Sequence, residues 1–297
     1  MASNNTSLSS DTPPSPGGNP TITTYKGLEH PPNLRKLKGA ASKSSVVKSL
    51  SIPVNDEAYG GAVPGFLHLP QDYGEKGNDV DTAAVLLSGA GGGVTGPSGI
   101  YVSMGSKLAS LKRGVPVLRM DYRYPARDRP CCQDVISAMD YLQEHYPLTK
   151  FVLVGWSFGS APVFTVGGSD SRVSGAACVA PQTAGTRGIR QLAPRPLLLL
   201  HGTGDRTLSP ACSESLYESY GRKGDRTIKL FDNDNHALTN NSLAAEELLC
   251  DFIAKCAGVK VDSDEQEHVV RQPLVEGKQK AEVMERGGDL RGKEQIE

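Results

Sequence analysis

The sequence predicts an α/β protein, a mostly parallel sheet of eight strands with helices on both faces. Three observations carry this. Short apolar runs alternate with longer amphipathic segments from about residue 45 to about residue 257. Several of the runs are apolar throughout, as strands buried on both faces are. At one junction, after Phe151-Val152-Leu153-Val154, a serine stands between two glycines in Gly155-Trp156-Ser157-Phe158-Gly159. That pattern requires a sharp turn out of a buried strand.

In chain order, strands are expected over 46–54, 65–69, 83–88, 115–121, 151–155, 175–180, 196–201 and 227–231. Helices are expected over 99–112, 130–145, 158–166, 209–221 and 242–256. The last has the clearest pattern. Ala245, Leu248, Leu249, Phe252, Ile253 and Cys256 recur at three- and four-residue steps and make one stripe. Residues 1–40 are rich in Ser, Pro, Gly and Asn and read as a disordered leader. Residues 259–297 turn to Glu, Lys, Gln, Arg and Gly, with Leu274, Val275, Val283 and Met284 too sparse for a core-facing stripe. They read as a charged, disordered or loosely helical tail. The folded domain is therefore expected to span 41–258.

The totals narrow the function. The chain has 297 residues and a formal charge of -1, with no basic excess to bind nucleic acid or a membrane surface. No apolar run approaches the ~20 residues of a membrane span, and the first twenty residues lack the apolar core of a secretory signal. Six cysteines, at 131, 132, 178, 212, 250 and 256, fit neither a zinc ribbon nor a redox pair, so a reducing, cytoplasmic setting is expected. No metal or organic cofactor is implied, and the oligomeric state stays open.

The Gly155–Gly159 stretch is the G-x-S-x-G pattern of a nucleophile elbow. Ser157 is held at the tip of the turn, and the glycines are needed because side chains two places away would collide. A serine hydroxyl is a poor nucleophile at neutral pH and needs a base, which a third group must orient. Among six histidines, only His236 follows Ser157 in a polar loop after the last strand. His201 directly ends a strand and reads as structural, its ring bonding nearby backbone. The orienting carboxylate is Asp205, which lies just past the strand 196–201, at the edge where open α/β sheets bind ligands. Asp232 and Asp234 are so close in sequence to His236 that reaching its far ring nitrogen is awkward. Upstream, Ser88-Gly89-Ala90-Gly91-Gly92-Gly93 follows a strand and offers bare backbone N–H groups. The phosphate-cradling reading of this loop fails, because neither G-x-x-x-x-G-K-[ST] nor the G-x-G-x-x-G register is present.

Together the loop 88–93, the elbow, the His201-Gly202-Thr203-Gly204-Asp205 segment and Asn235-His236 resemble the α/β-hydrolase superfamily over about residues 45–257. The His-Gly-Thr-x-Asp segment and the short connections look most like its dienelactone-hydrolase-like and prolyl-oligopeptidase-like serine hydrolases. The resemblance implies an α/β-hydrolase fold and catalysis by Ser157, Asp205 and His236. Its oxyanion hole would use the N–H of Phe158 and that of Ala90, or else Gly91. It departs at two positions: Ser88 stands where many relatives have histidine, and the elbow has serine where true dienelactone hydrolases use cysteine.

Lids in this fold are usually inserted after the sixth strand. Here only 181–193 is available, too little for a cap domain. The segment 182–187 would edge the pocket, with Gln182 or Arg187 touching a polar or anionic substrate, and Trp156 packing beneath the pocket or lining it. The expected reaction is hydrolysis of a small-molecule carboxylic ester or thioester. A small peptidase and a non-catalytic binding or scaffolding protein on the same fold are the alternatives.

Overall fold

The computed structural model describes residue 37 and residues 45–56, 60–71, 73–74 and 79–291. The expected leader lies outside these residues apart from residue 37, as do residues 292–297.

All eight expected strands form. They are β1 Ser45–Val54, β2 Gly61–Pro70, β3 Thr82–Leu87, β4 Val117–Met120, β5 Lys150–Trp156, β6 Val173–Val179, β7 Leu197–Gly202 and β8 Arg226–Phe231. The main helices are α1 Ile100–Ala109, α2 Asp128–His145, α3 Ser160–Ser169, α4 Ile189–Leu192, α5 Ala211–Tyr220 and α6 Ser242–Cys256. Two more follow them, the single turn α7 Ser263–Glu265 and α8 Gln279–Arg286. The sheet order is β1-β2-β4-β3-β5-β6-β7-β8. β2 runs antiparallel to both its neighbours, and all other pairs are parallel.

The apolar runs divide their side chains between two cores by strand alternation. On one face Val85, Leu87, Phe151 and Leu153 pack with Ala138 and Leu142 of α2 and Val163 and Phe164 of α3. On the other, Ala84, Leu86, Val152 and Val154 pack with Met104 and Leu108 of α1 and Leu249 and Ile253 of α6. Central β3 is buried at every position, whereas edge strand β8 alternates between half-buried and exposed until its last residue. That contrast is what a sheet covered on both sides predicts for its middle and its rim.

Register aligns the strand ends that matter. Leu87 pairs with Met120 and with Gly155, Trp156 with Val179, Val179 with Leu200, and His201 with Leu230. The chain therefore leaves β3, β5, β7 and β8 at one common edge, and the four candidate segments emerge there. The link from β6 to β7 carries only the short α4, so no large cap is built at that point. No helix among the described residues is long and apolar enough to cross a membrane.

The C-terminal expectation needs correction. Residues 259–291 are not a loose tail but part of the folded unit. An Asp262–Glu265 capping box starts α7, and the Glu265 carboxylate also accepts the N–H of Lys112, at 2.6 Å, just past α1. Val269, Val270, Leu274, Val283 and Met284 are all buried. They are spaced too widely for a helical stripe because the segment crosses the α1 face as a strap, anchoring at intervals. Asp289, charged and near the end, is fully buried.

Candidate active site

Ser157 sits between β5 and α3 with φ 54, the left-handed region that non-glycine residues rarely occupy. The turn is sharp enough that a Cβ on Gly155 would come within 2.6 Å of the Gly159 backbone. A Cβ on Gly159 would come within 2.7 Å of the Ser88 carbonyl oxygen and 2.8 Å of that of Leu87. Glycine at 159 therefore lets the end of β3 press against the elbow, which brings the loop 88–93 beside Ser157. Ser160 holds the turn by donating its hydroxyl to the Ser157 carbonyl at 2.8 Å. Phe158 begins the first turn of the following helical segment, where backbone N–H groups lack intrahelical acceptors. Its ring meets that of Tyr122 edge-on at 6.0 Å, and the Tyr122 hydroxyl donates to the Ser88 carbonyl at 3.1 Å.

His236 is fully buried and places Nδ1 2.7 Å from Asp205 Oδ2. A carboxylate facing Nδ1 selects the Nδ1–H tautomer and leaves Nε2 with its lone pair, the form a general base needs. Of the three carboxylates considered, Asp205 is the one that meets this ring. Asp232 is exposed and contacts Thr203 and Asn233. Asp234 is buried, but its oxygens accept the N–H groups of Asn235, Asn240 and Asn241 and the Asn241 carboxamide. It shapes the loop that carries His236.

Asp205 is saturated with donors. Its Oδ1 accepts the N–H of Thr207 at 2.8 Å and of Leu208 at 2.9 Å, and its Oδ2 faces both His236 and His201 Nε2, the latter at 3.1 Å. Burial works against the ionised carboxylate, but the bonds from His201, His236 and the Leu208 N–H outweigh it and hold its pKa below the usual range. His201 does bond nearby backbone, through Nε2 to the Leu208 carbonyl at 3.0 Å, and its Nδ1 lies 2.7 Å from the Ser213 hydroxyl. Local reading missed its second contact, to Asp205. The signal was the spacing, four residues apart across a turn that leaves a strand.

Of the two expectations for Trp156, packing beneath the pocket holds and lining it does not, because the side chain is fully buried. Its side chain is buried in the core shared with α6, and Nε1 donates to the His236 carbonyl at 3.0 Å. The indole lies 5.6 Å from the imidazole, centroid to centroid. It supports the histidine loop from below and presents no face to a ligand. Gln182 is half-buried beside the elbow, its N–H 3.5 Å from the Ser157 carbonyl, and its carboxamide donates to the Ala184 carbonyl at 2.9 Å. Arg187 is exposed on the same segment. Ala90 is half-buried and Gly91 buried, at the start of the loop leaving β3.

Further contacts join the pieces. Ser98 donates to the Ala237 carbonyl at 2.8 Å, tying the β3 loop to the histidine loop, and Lys280 of α8 donates to the Thr239 carbonyl at 2.6 Å. Asp121 accepts the Gly93 N–H at 2.8 Å and the Arg291 guanidinium at 2.6 Å. Arg123 pairs with Asp134. Asp121 and Arg123, just past β4, thus serve as structural partners.

Comparison with known proteins agrees with this architecture. The family model described as "alpha/beta hydrolase fold" matches residues 84–212. No curated protein matches the chain. Among solved structures, Est1E from Butyrivibrio proteoclasticus is similar at 14% identity and a TM-score of 0.54, covering 70% of this chain and 99% of its own. A dienelactone hydrolase from Anabaena variabilis is similar at 16% identity and a TM-score of 0.55, over 70% of this chain and 98% of its own. A puromycin-hydrolyzing peptidase from Mycobacterium tuberculosis reaches 0.56 at 15% identity, over 76% of this chain and 41% of its own. Strand order, family match and structural likeness agree: the chain has the α/β-hydrolase fold.

Proposed function

We propose that this protein is a serine hydrolase that cleaves a carboxylic ester or thioester through an acyl-enzyme on Ser157. The observation that carries the reading is the buried Asp205–His236 contact at 2.7 Å, on the sheet edge where Ser157 is held at φ 54. In this reading Ser157 Oγ attacks the acyl carbon while His236 Nε2 takes the hydroxyl proton. The N–H of Phe158 and that of Ala90, or Gly91, hold the oxyanion. His236 returns the proton to the departing alcohol or thiol as the C–O or C–S bond breaks. Water, deprotonated by His236, then attacks the acyl-enzyme and releases the acid and the free serine.

The link between β6 and β7, too short for a cap, favours a small or accessible acyl group over a long buried chain. In this reading Gln182 or Arg187, on the segment that follows β6, contacts a polar substrate. A structure of Est1E carries bound ferulic acid, which makes aryl-acid esters a sensible part of the substrate series. The six unpaired cysteines fit a reducing compartment such as the cytoplasm.

The test is a panel of p-nitrophenyl esters and thioesters, varied in acyl length and charge, run with Ser157→Ala as control. Turnover of short esters that vanishes in Ser157→Ala supports the reading. Turnover only of an aminoacyl-amide included in the panel would replace it with the peptidase alternative. No turnover of any member by a folded protein would leave the non-catalytic alternative.

A further inference from the structure

The loop leaving β3 is not held by its own sheet alone. A single carboxylate, Asp289 at the far end of the chain, collects its donors. Asp289 Oδ2 accepts the N–H of Val94 at 3.1 Å, the N–H of Thr95 at 2.8 Å and the Thr95 hydroxyl at 2.6 Å. Oδ1 accepts the N–H of Gly96 at 2.7 Å and also the hydroxyl of Ser88. Five donors thus converge on two oxygens inside a fully buried site. The glycines of the loop make the room. Gly93 has φ 103, and a Cβ there would lie 2.5 Å from the Asp289 Cγ.

We propose that Asp289 is a positioning residue for the candidate oxyanion loop, a carboxylate supplied by the C-terminal strap that sets the backbone of residues 88–96 for catalysis. The proposal rests on the reading of Ser157 as a nucleophile. Ser88 is the mechanical link. Its hydroxyl is bound by Asp289, and its carbonyl lies against Gly159 of the elbow and accepts from Tyr122. Ala90 and Gly91 are the next residues but one and but two, so a shift of Ser88 moves their N–H groups relative to Ser157.

The surrounding contacts work to the same end. Arg119 donates to the Val94 carbonyl at 2.7 Å. Asp289 is itself seated by its N–H bond to the Met284 carbonyl at 2.9 Å, at the end of α8. The Arg291 backbone carbonyl packs directly on Gly91, and its guanidinium bonds Asp121, which in turn accepts the Gly93 N–H. Burial pushes the Asp289 pKa up to about 6, with the hydrogen bonds of Ser88, Thr95 and Gly96 pulling the other way; five donors and no acceptor among these partners favour the ionised form. An ionised carboxylate offers about four lone-pair sites, so the five donors fill it and those on Oδ2 share. Without it, buried loop N–H groups would need new partners, and the loop would move to find them.

The experiment compares the full-length wild type with Asp289→Asn on p-nitrophenyl acetate, with Val270→Ala as a control for lost stability. Val270 is buried in the same strap and is not one of the groups that donate to Asp289. Expected for Asp289→Asn is a kcat lowered about tenfold to a hundredfold with KM changed by less than about threefold, because oxyanion contacts act on the transition state. Fluorophosphonate labelling should slow in step, while Val270→Ala lowers Tm without lowering kcat. A folded Asp289→Asn with wild-type kcat overturns the proposal, and so does an equal kcat loss in Val270→Ala. If Asp289→Asn does not fold, Thr95→Val removes one donor to the same carboxylate and is read by the same split: lower kcat at unchanged KM supports the role, unchanged kcat overturns it. A folded wild type that neither turns over esters nor labels removes the hydrolase reading, and this proposal with it. Active wild type with an indifferent Asp289 removes only the proposal.

Discussion

The indole N–H of Trp156 donates to the backbone carbonyl of His236 at 3.0 Å, so the residue before Ser157 holds the loop that carries the imidazole. The serine turn and the histidine loop are thus coupled through one buried side chain. Trp156→Phe keeps an aromatic ring but leaves the His236 carbonyl without its donor. Unfolding by denaturant should show a loss of about 1–3 kcal/mol, and kcat should fall by about threefold to tenfold because the histidine loop relaxes. A variant with wild-type kcat and reduced stability would show that the tryptophan is packing alone.

The carboxylates around His236 divide the work. Asp205→Asn removes the acceptor at Nδ1 and should lower kcat by about a thousandfold or more, with KM little changed. Asp234→Asn disturbs a carboxylate that accepts four loop donors. It should cost about 1–3 kcal/mol of stability and less than about tenfold in kcat. Steady-state kinetics on the two purified variants checks this, and equal losses would remove the assignment of the orienting acid.

Gly159→Ala tests the approach of β3 to the elbow. A methyl at that position would meet the Ser88 carbonyl oxygen at 2.7 Å and that of Leu87 at 2.8 Å, backbone atoms of a central strand that cannot swing aside. The expected result is a loss of about 1–3 kcal/mol or failure to fold, and a near-inactive enzyme where folding survives. Thermal melts and labelling of the folded fraction decide it. Wild-type stability would mean the elbow and the loop are further apart than described.

Asp205 also predicts a pH signature. Its pKa is held below the ordinary 3.8 in the folded state, although burial alone would raise it. The unfolded chain therefore binds its proton first as pH falls. The stability it supplies is complete above the unfolded pKa and is lost as pH drops through the folded value. Wild type should lose stability below about pH 4 more steeply than Asp205→Asn, measured as Tm against pH. Parallel curves would contradict the shift.

Much of this was legible in the chain, for reasons that are local. Strands such as Phe151-Val152-Leu153-Val154 are buried on both faces and therefore apolar at every position, a pattern that survives without coordinates. The elbow was legible because Gly155 and Gly159 answer a steric need within five residues. Asp205 and His236 could be chosen because each directly follows a strand that ends at the shared edge. What was not legible is long-range. Ser88 and Asp289 are 201 residues apart, and nothing in the spacing of Val269, Leu274 or Val283 announces a strap that seats a carboxylate. The direction of the Trp156 side chain was equally hidden, since strand alternation gives a face but not what lies behind it. Ser88, noted as a departure from many relatives, is explained by the same contact: its hydroxyl is a donor to Asp289.

The central claim is that Ser157 is a nucleophile made reactive by His236 and Asp205. The most direct measurement is intact and peptide mass analysis after exposure to a fluorophosphonate probe at neutral pH. The account predicts one adduct per chain, located on Ser157 within the β5–α3 junction, absent in Ser157→Ala and strongly slowed in His236→Ala. A folded wild type that takes up no adduct, or an adduct that persists in Ser157→Ala, would contradict it.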